Sequence, residues 1–145
     1  MMGAKVNLLI FVLPLLTTAR VAADTGLTLT VHASVFRTRS GGLVCRLFTN
    51  GDGFPAKATH QAEHKASIPG TEAACEFRDL HPGVYAVALF HDENGNGKLD
   101  TNFLGLPAEG VGTSNNKRPL VGPPSWSASR FRLERDGDIH VTLHY

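Results

Sequence analysis

The chain has 145 residues, with 14 Lys and Arg against 13 Asp and Glu, so its formal net charge is +1 at neutral pH. This length predicts one domain. The chain has no polybasic tract, which argues against electrostatic binding to nucleic acid or to an anionic membrane.

The N-terminal residues have the features of a secretory signal peptide. Lys5 supplies positive charge, residues 6–16 form an apolar run, and residues 21–23 (Val-Ala-Ala) offer small side chains for cleavage. The apolar run is too short for a membrane-spanning helix. We therefore expect residues 1–23 to be removed and residues 24–145 to form a single domain without a transmembrane segment. The expected location is periplasmic or secreted.

Most of the chain after residue 24 has the period-two hydrophobic pattern of β-strands. A short helical turn is an option only at residues 60–65, and residues 103–125 predict a long irregular connection. The Asp136-Gly137 pair predicts a hairpin between the last two strands. Strands are predicted at residues 27–35, 43–48, 74–77, 84–90, 127–133 and 139–145.

Short strands and frequent turn residues predict an all-β fold. Residues 80–85, Leu-His-Pro-Gly-Val-Tyr, have the form of a tyrosine corner, in which Tyr85 bonds to backbone upstream of its strand. This motif favours a sandwich over a barrel. We expect a Greek-key β-sandwich of about seven strands, either immunoglobulin-like or prealbumin-like.

The two cysteines of the chain are Cys45 and Cys75. In an exported protein two cysteines are expected to form a disulfide. The alternative is a pair of buried free thiols, because cysteine also packs as a small hydrophobic residue. Neither cysteine belongs to a cluster that suggests zinc.

A loop of alternating oxygen-bearing side chains follows the strand at residues 84–90. A curved backbone can direct these oxygens to one point, and Gly97 stands where such loops turn sharply. Carboxylate and amide oxygens are the ligands that Ca²⁺ prefers. The sequence therefore predicts a calcium-type loop. Its predicted ligands are the side chains of Asp92, Asn94, Asn96 and Asp100, and the backbone carbonyl of Lys98.

The loop departs from the EF-hand pattern at its twelfth position. That position carries Phe103 instead of a bidentate Glu, and no helices flank the loop. Glu109 is the candidate replacement, whereas alternation directs Glu93 outward. With so few carboxylates, we expect a calcium dissociation constant of about 10⁻⁴ to 10⁻³ M. The alternative is a set of tight Asn-Gly turns that bind no metal.

The enzyme alternative depends on His91, which precedes the loop. His91 could serve as the base of a metal-dependent hydrolase if a bound ion kept an open coordination position. Nucleophilic catalysis finds little support, because Ser114 lacks the G-x-S-x-G elbow.

Two further features leave binding alternatives open. Residues 27–35 could form an exposed edge that accepts a strand from a partner. A ligand surface is the other option, although a lone Trp is more often a packing residue. Its candidate residues are Asn115, Asn116 and Trp126.

Several long motifs together resemble a known family. They are residues 82–87, 90–102, 105–110, 114–116 and 122–125. The combination resembles the bacterial domain of unknown function 2141 over essentially the whole predicted domain, which implies an exported all-β domain without an established activity. The Pro-Gly-x-Tyr strand before the Asp/Asn/Gly loop is also similar to Cna-B-like and prealbumin-like modules of surface proteins.

The sequence thus predicts an exported binding or structural module rather than an enzyme. In this hypothesis calcium orders residues 103–125, and the module serves an unidentified ligand or protein partner.

Overall fold

The computed structural model describes residues 26–57 and 60–145, and the predicted signal peptide lies outside these residues. The described chain forms eight strands, a 3-10 turn at Ser114–Asn116 and a four-residue helix, α1 (Trp126–Ser129). No helix within this part of the chain is long and apolar enough to cross a membrane. The strands are β1 (Leu27–Ser34), β2 (Gly42–Phe48), β3 (Ala62–Ala66), β4 (Glu72–Leu80), β5 (Gly83–Asp92), β6 (Val111–Thr113), β7 (Phe131–Leu133) and β8 (Gly137–Thr142).

The strands form two sheets that pack face to face. One sheet has three strands in the order β4-β1-β8, and the other has the order β3-β2-β5-β6, with β7 also paired to β5. Only β1 and β8 run parallel among these pairs. The predicted all-β sandwich is therefore confirmed, with eight strands instead of about seven.

The core lies between the two sheets and follows the predicted alternation. In β1 the side chains of Leu29, Val31 and Ala33 are fully buried, and their neighbours in sequence point to the other face. Full burial of such a side chain contributes about 1.5–3 kcal/mol, which is why the alternation fixes the register. The buried side chains that face β1 from the other sheet include Leu43, Cys45, Leu47, Val87 and Leu89.

A disulfide links the sheets. Cys45 in β2 is bonded to Cys75 in β4, with their Cα atoms 6.4 Å apart and both residues fully buried. The predicted disulfide is confirmed, and the free-thiol alternative is wrong. A disulfide is typical of proteins that fold in an oxidising compartment.

The tyrosine corner is also confirmed. The Tyr85 hydroxyl donates a 2.7 Å hydrogen bond to the backbone carbonyl of His81, four residues earlier in the chain. The bond ties the start of β5 to the connection that leads out of β4.

Two expectations about the first half of the chain are wrong. Residues 60–65 do not form a helical turn, because β3 takes the edge position beside β2 and its backbone groups pair there. Residues 27–35 are not an exposed edge, because β1 lies between β4 and β8. Strand addition at β1 is therefore excluded.

The C-terminal hairpin prediction is also wrong. The strand predicted at residues 127–133 is divided into α1 and the short β7, and the Ser125 side chain caps α1 by accepting from the Ala128 N–H. β7 then pairs with β5, whereas β8 pairs with β1 in the opposite sheet. Residues 134–136 consequently cross between the sheets, where Asp136 accepts the Thr28 backbone N–H at 2.8 Å.

Candidate functional site

The predicted calcium loop leaves the end of β5, close to the β1–β2 connection. Gly41 approaches the backbone carbonyl of Asp92 so closely that a Cβ atom at Gly41 would lie 1.8 Å from that oxygen. Asp92 is 5% exposed, and its two carboxylate oxygens accept the backbone N–H groups of Asn96 at 3.0 Å and Gly97 at 2.8 Å. Because Gly97 has φ of +77°, the backbone can curl around this carboxylate.

Asn94 and Asn96 hold the next part of the curved loop, which leads to Asp100. The side-chain oxygen of Asn94 accepts the Asn96 N–H at 3.0 Å, and that of Asn96 accepts the Lys98 N–H at 2.8 Å. Their amide NH₂ groups both donate to the carboxylate of Asp100. Asn94, Asn96 and Asp100 therefore meet at one point, while the Lys98 side chain is exposed.

Glu109 does fold back to the loop, where it joins the two ends. It is 4% exposed, and its carboxylate oxygens accept the backbone N–H of Glu93 at 2.8 Å and of Asp100 at 3.0 Å. Its oxygens thus bind backbone rather than the point where the asparagines meet. The Glu93 side chain turns away and accepts a 2.6 Å bond from Arg37.

The part of the chain that the structure describes offers the loop carboxylates no ion-pair partner. Within residues 26–57 and 60–145, no Lys, Arg or His forms an ion pair with Asp92, Asp100 or Glu109. The Lys65 ammonium lies beside the loop at Gly97. The described residues contain no group of three or more His, Cys, Asp or Glu that could hold a metal ion, so a site here would need the oxygens of Asn94 and Asn96 beside the two aspartates.

His91 lies beneath the loop in a closed hydrogen-bond network. Its side chain is fully buried, with Nε2 2.8 Å from the Ser40 carbonyl oxygen and Nδ1 2.8 Å from the Tyr145 hydroxyl. A carbonyl only accepts, so Nε2 donates to Ser40, while Nδ1 is paired with the Tyr145 hydroxyl, and both ring nitrogens are therefore engaged. The Tyr145 oxygen in turn accepts the Arg37 N–H at 2.9 Å, and burial raises the pKa of Tyr145.

This network leaves His91 without a free lone pair or access to solvent. A general base has to reach the proton that it removes. The geometry therefore favours a structural role for His91 over the hydrolase alternative.

The predicted ligand-surface residues hold backbone segments together. The Asn115 amide donates to the carbonyls of Ala128 and Arg130. The Asn116 amide pairs with the edge of β8, donating to one backbone carbonyl at 2.9 Å and accepting one N–H at 2.8 Å. Trp126 packs edge-to-face on Phe54, with ring centroids 6.0 Å apart. A ligand role for these residues stays a prediction.

Two exposed features were not predicted from the sequence. His32 and His140 stack across β1 and β8 with ring centroids 4.7 Å apart, a contact that depends on strand register. Residues 101–108 form a short ribbon, here called the apolar ribbon. Three of its apolar side chains are exposed to solvent: Phe103 (94%), Leu104 (67%) and Leu106 (57%).

Comparison with known proteins identifies one family. A family model described as "Uncharacterized protein conserved in bacteria (DUF2141)" matches residues 31–141, which include the disulfide, the candidate loop and the apolar ribbon. The comparisons with curated proteins and with solved structures found no similar protein. The match covers well over half of the chain and all eight strands in whole or in part. The chain therefore belongs to the bacterial family of uncharacterised proteins DUF2141.

Proposed function

We propose that this chain is an exported structural or binding module that binds calcium at residues 92–100. The observation that carries the proposal is a cluster of loop oxygens whose carboxylates form no ion pair with any described residue. Asp92 and Asp100 are held with two asparagines in one curled loop, and no described cationic side chain pairs with either carboxylate. A hard cation would neutralise both.

The donor set suits calcium better than a transition metal. Calcium takes six to eight oxygen ligands, and carboxylates, amide oxygens and backbone carbonyls all serve. The side-chain oxygens of Asn94 and Asn96 each accept one backbone N–H, which leaves each a second lone pair. A cation would replace the asparagine NH₂ groups as the partner of Asp100.

The ion would act through the ends of the loop. The apolar ribbon begins directly after Asp100 and returns at Glu109, which already binds the backbone at both ends of the loop. An ion that orders the loop therefore also orders the base of the ribbon. At a calcium concentration ten times the dissociation constant, binding to the folded state alone adds about 1.4 kcal/mol to stability.

Calorimetric titration of chelator-treated protein tests the proposal. We expect binding of one calcium ion with a dissociation constant of about 10⁻⁴ to 10⁻³ M and a rise in melting temperature. The variant Asp100→Asn should lose both effects. Asp79→Asn is the matched control, since Asp79 is exposed and its φ of +56° suits Asn. A wild-type protein that neither binds calcium nor melts at a higher temperature with it would contradict the proposal.

A further inference from the structure

We propose that the apolar ribbon, residues 101–108, inserts its tip into the interfacial region of a lipid bilayer. The tip presents Phe103, Leu104 and Leu106 to solvent on a hydrogen-bonded turn. An exposed cluster of large apolar side chains marks an interaction site when no other part of the protein covers it.

Most of the backbone N–H groups at the tip of the ribbon are hydrogen-bonded within the ribbon. Asn102 donates its N–H to the Leu106 carbonyl at 2.8 Å, and its own carbonyl accepts the Gly105 N–H at 2.9 Å. The Asn102 side-chain oxygen accepts the N–H groups of Leu104 and Leu106. Pro107 has no N–H. Unsatisfied backbone groups are costly in the apolar region of a bilayer, and the bonds within this turn reduce that cost.

The hydrogen bonds within the ribbon also argue against a groove on another protein as its binding site. Peptide segments that dock by strand addition gain affinity from free backbone N–H and C=O groups, and the tip directs most of its own groups inward. Three side chains are also too few to bury the roughly 1,200 Å² or more that a stable protein interface requires. Insertion into a bilayer requires neither free backbone groups nor a protein interface of this size.

The charge distribution suits an uncharged tip with a charged base. Residues 101–108 contain no charged side chain, whereas exposed basic residues lie at the same end of the sandwich. Arg37 donates to the Ala108 carbonyl at the base of the ribbon, and Arg39 follows it in the β1–β2 connection. Arg37 is already paired with Glu93, so Arg39 is the cation that can meet lipid phosphates. Because the whole chain is nearly neutral, apolar insertion supplies the driving force and net charge does not.

Calcium strengthens this contact, a step that depends on the proposed function. The uncompensated carboxylates of Asp92, Asp100 and Glu109 lie at the base of the ribbon, where they oppose an approach to lipid phosphates. An ion bound in the loop would remove that repulsion. Membrane affinity should therefore rise with calcium.

Co-sedimentation with vesicles tests the inference. Purified protein is mixed with vesicles of phosphatidylcholine, with or without phosphatidylglycerol, in calcium or in chelator. We expect binding to both compositions, and the double variant Phe103→Ser/Leu104→Ser should bind at least about tenfold more weakly. Leu120→Ser/Val121→Ser is the matched control, because these two side chains are 104% and 89% exposed outside the ribbon. The control should bind like the wild type.

The outcomes separate the two proposals. Ribbon-dependent binding that calcium does not change supports insertion and overturns only the calcium step. Calcium binding in the calorimeter without binding to any vesicle overturns insertion and leaves the calcium loop standing. Equal losses in the ribbon variant and its control also overturn insertion, because the site would then not be the ribbon.

Discussion

The hydroxyl of Tyr85 ties the start of β5 to the turn before it, and Tyr85 is 5% exposed. Tyr85→Phe removes only this oxygen and leaves the ring in the core. We expect a loss of about 1–2 kcal/mol in the free energy of unfolding, because the bond to the His81 carbonyl disappears. Urea denaturation measures this change. An unchanged midpoint with an unchanged slope would show that the corner bond contributes nothing to stability.

Single-residue roles were predictable from the sequence where they depend on local geometry. The tyrosine corner spans four residues, and the turns at Asp92, Asn94 and Asn96 span two to five, so the spacing itself predicts them. The stacking of His32 on His140 was not predictable, since it requires β1 and β8 to pair in parallel. The backbone partners of Glu109 depend on tertiary structure in the same way.

At the scale of the element, β5 is the strand on which the second sheet is built. Its first residues pair with β7 and its later ones with β6, so a gap remains between the two partners. The Ser114 hydroxyl fills this gap, accepting the Val87 N–H at 3.0 Å and donating to the Ser129 carbonyl at 2.6 Å. The side chain thus replaces the ladder bonds that a backbone partner would have made.

Ser114→Ala should therefore be strongly destabilising for so small a change. Ser114 is 1% exposed, and its loss leaves a buried N–H and a buried carbonyl without this partner. We expect about 2–3 kcal/mol less stability in urea denaturation. Ser127→Ala, an exposed position in α1, is the control and should change stability by less than about 0.5 kcal/mol. Equal effects of the two variants would contradict this role.

Strands were predicted correctly where hydrophobic alternation matches one buried face. The prediction failed where pairing with another strand determines the secondary structure or the sheet that a segment joins. β1, β2 and β5 were confirmed near their predicted bounds. β3 was missed because its pattern is weak and its strand form comes from pairing with β2. The hairpin was wrong because the bend at residues 134–136 does not determine which sheet the next strand joins.

At the scale of the whole molecule, the sandwich places the candidate loop, the His91 network and the base of the apolar ribbon at one end. The end of β5, the β1–β2 connection and the start of β6 meet there, and they carry the candidate loop, the His91 network and the base of the apolar ribbon. The two rigid sheets therefore serve as a support that presents loops.

The disulfide is a covalent cross-link between these sheets, so its removal tests how far the sandwich depends on it. Cys45 and Cys75 are 30 residues apart, and closing a loop of this length reduces the entropy of the unfolded chain. The chain-entropy model gives a contribution of about 3–4 kcal/mol. The double variant Cys45→Ala/Cys75→Ala should lose this amount, plus a smaller cost for the two buried sulfur atoms. Urea denaturation of the variant, and of wild-type protein with and without a reductant, measures the two contributions separately, because reduction keeps both sulfur atoms in place. If reduction leaves the free energy of unfolding unchanged within about 0.5 kcal/mol, the cross-link does not stabilise the sandwich, and packing between the sheets holds the fold by itself.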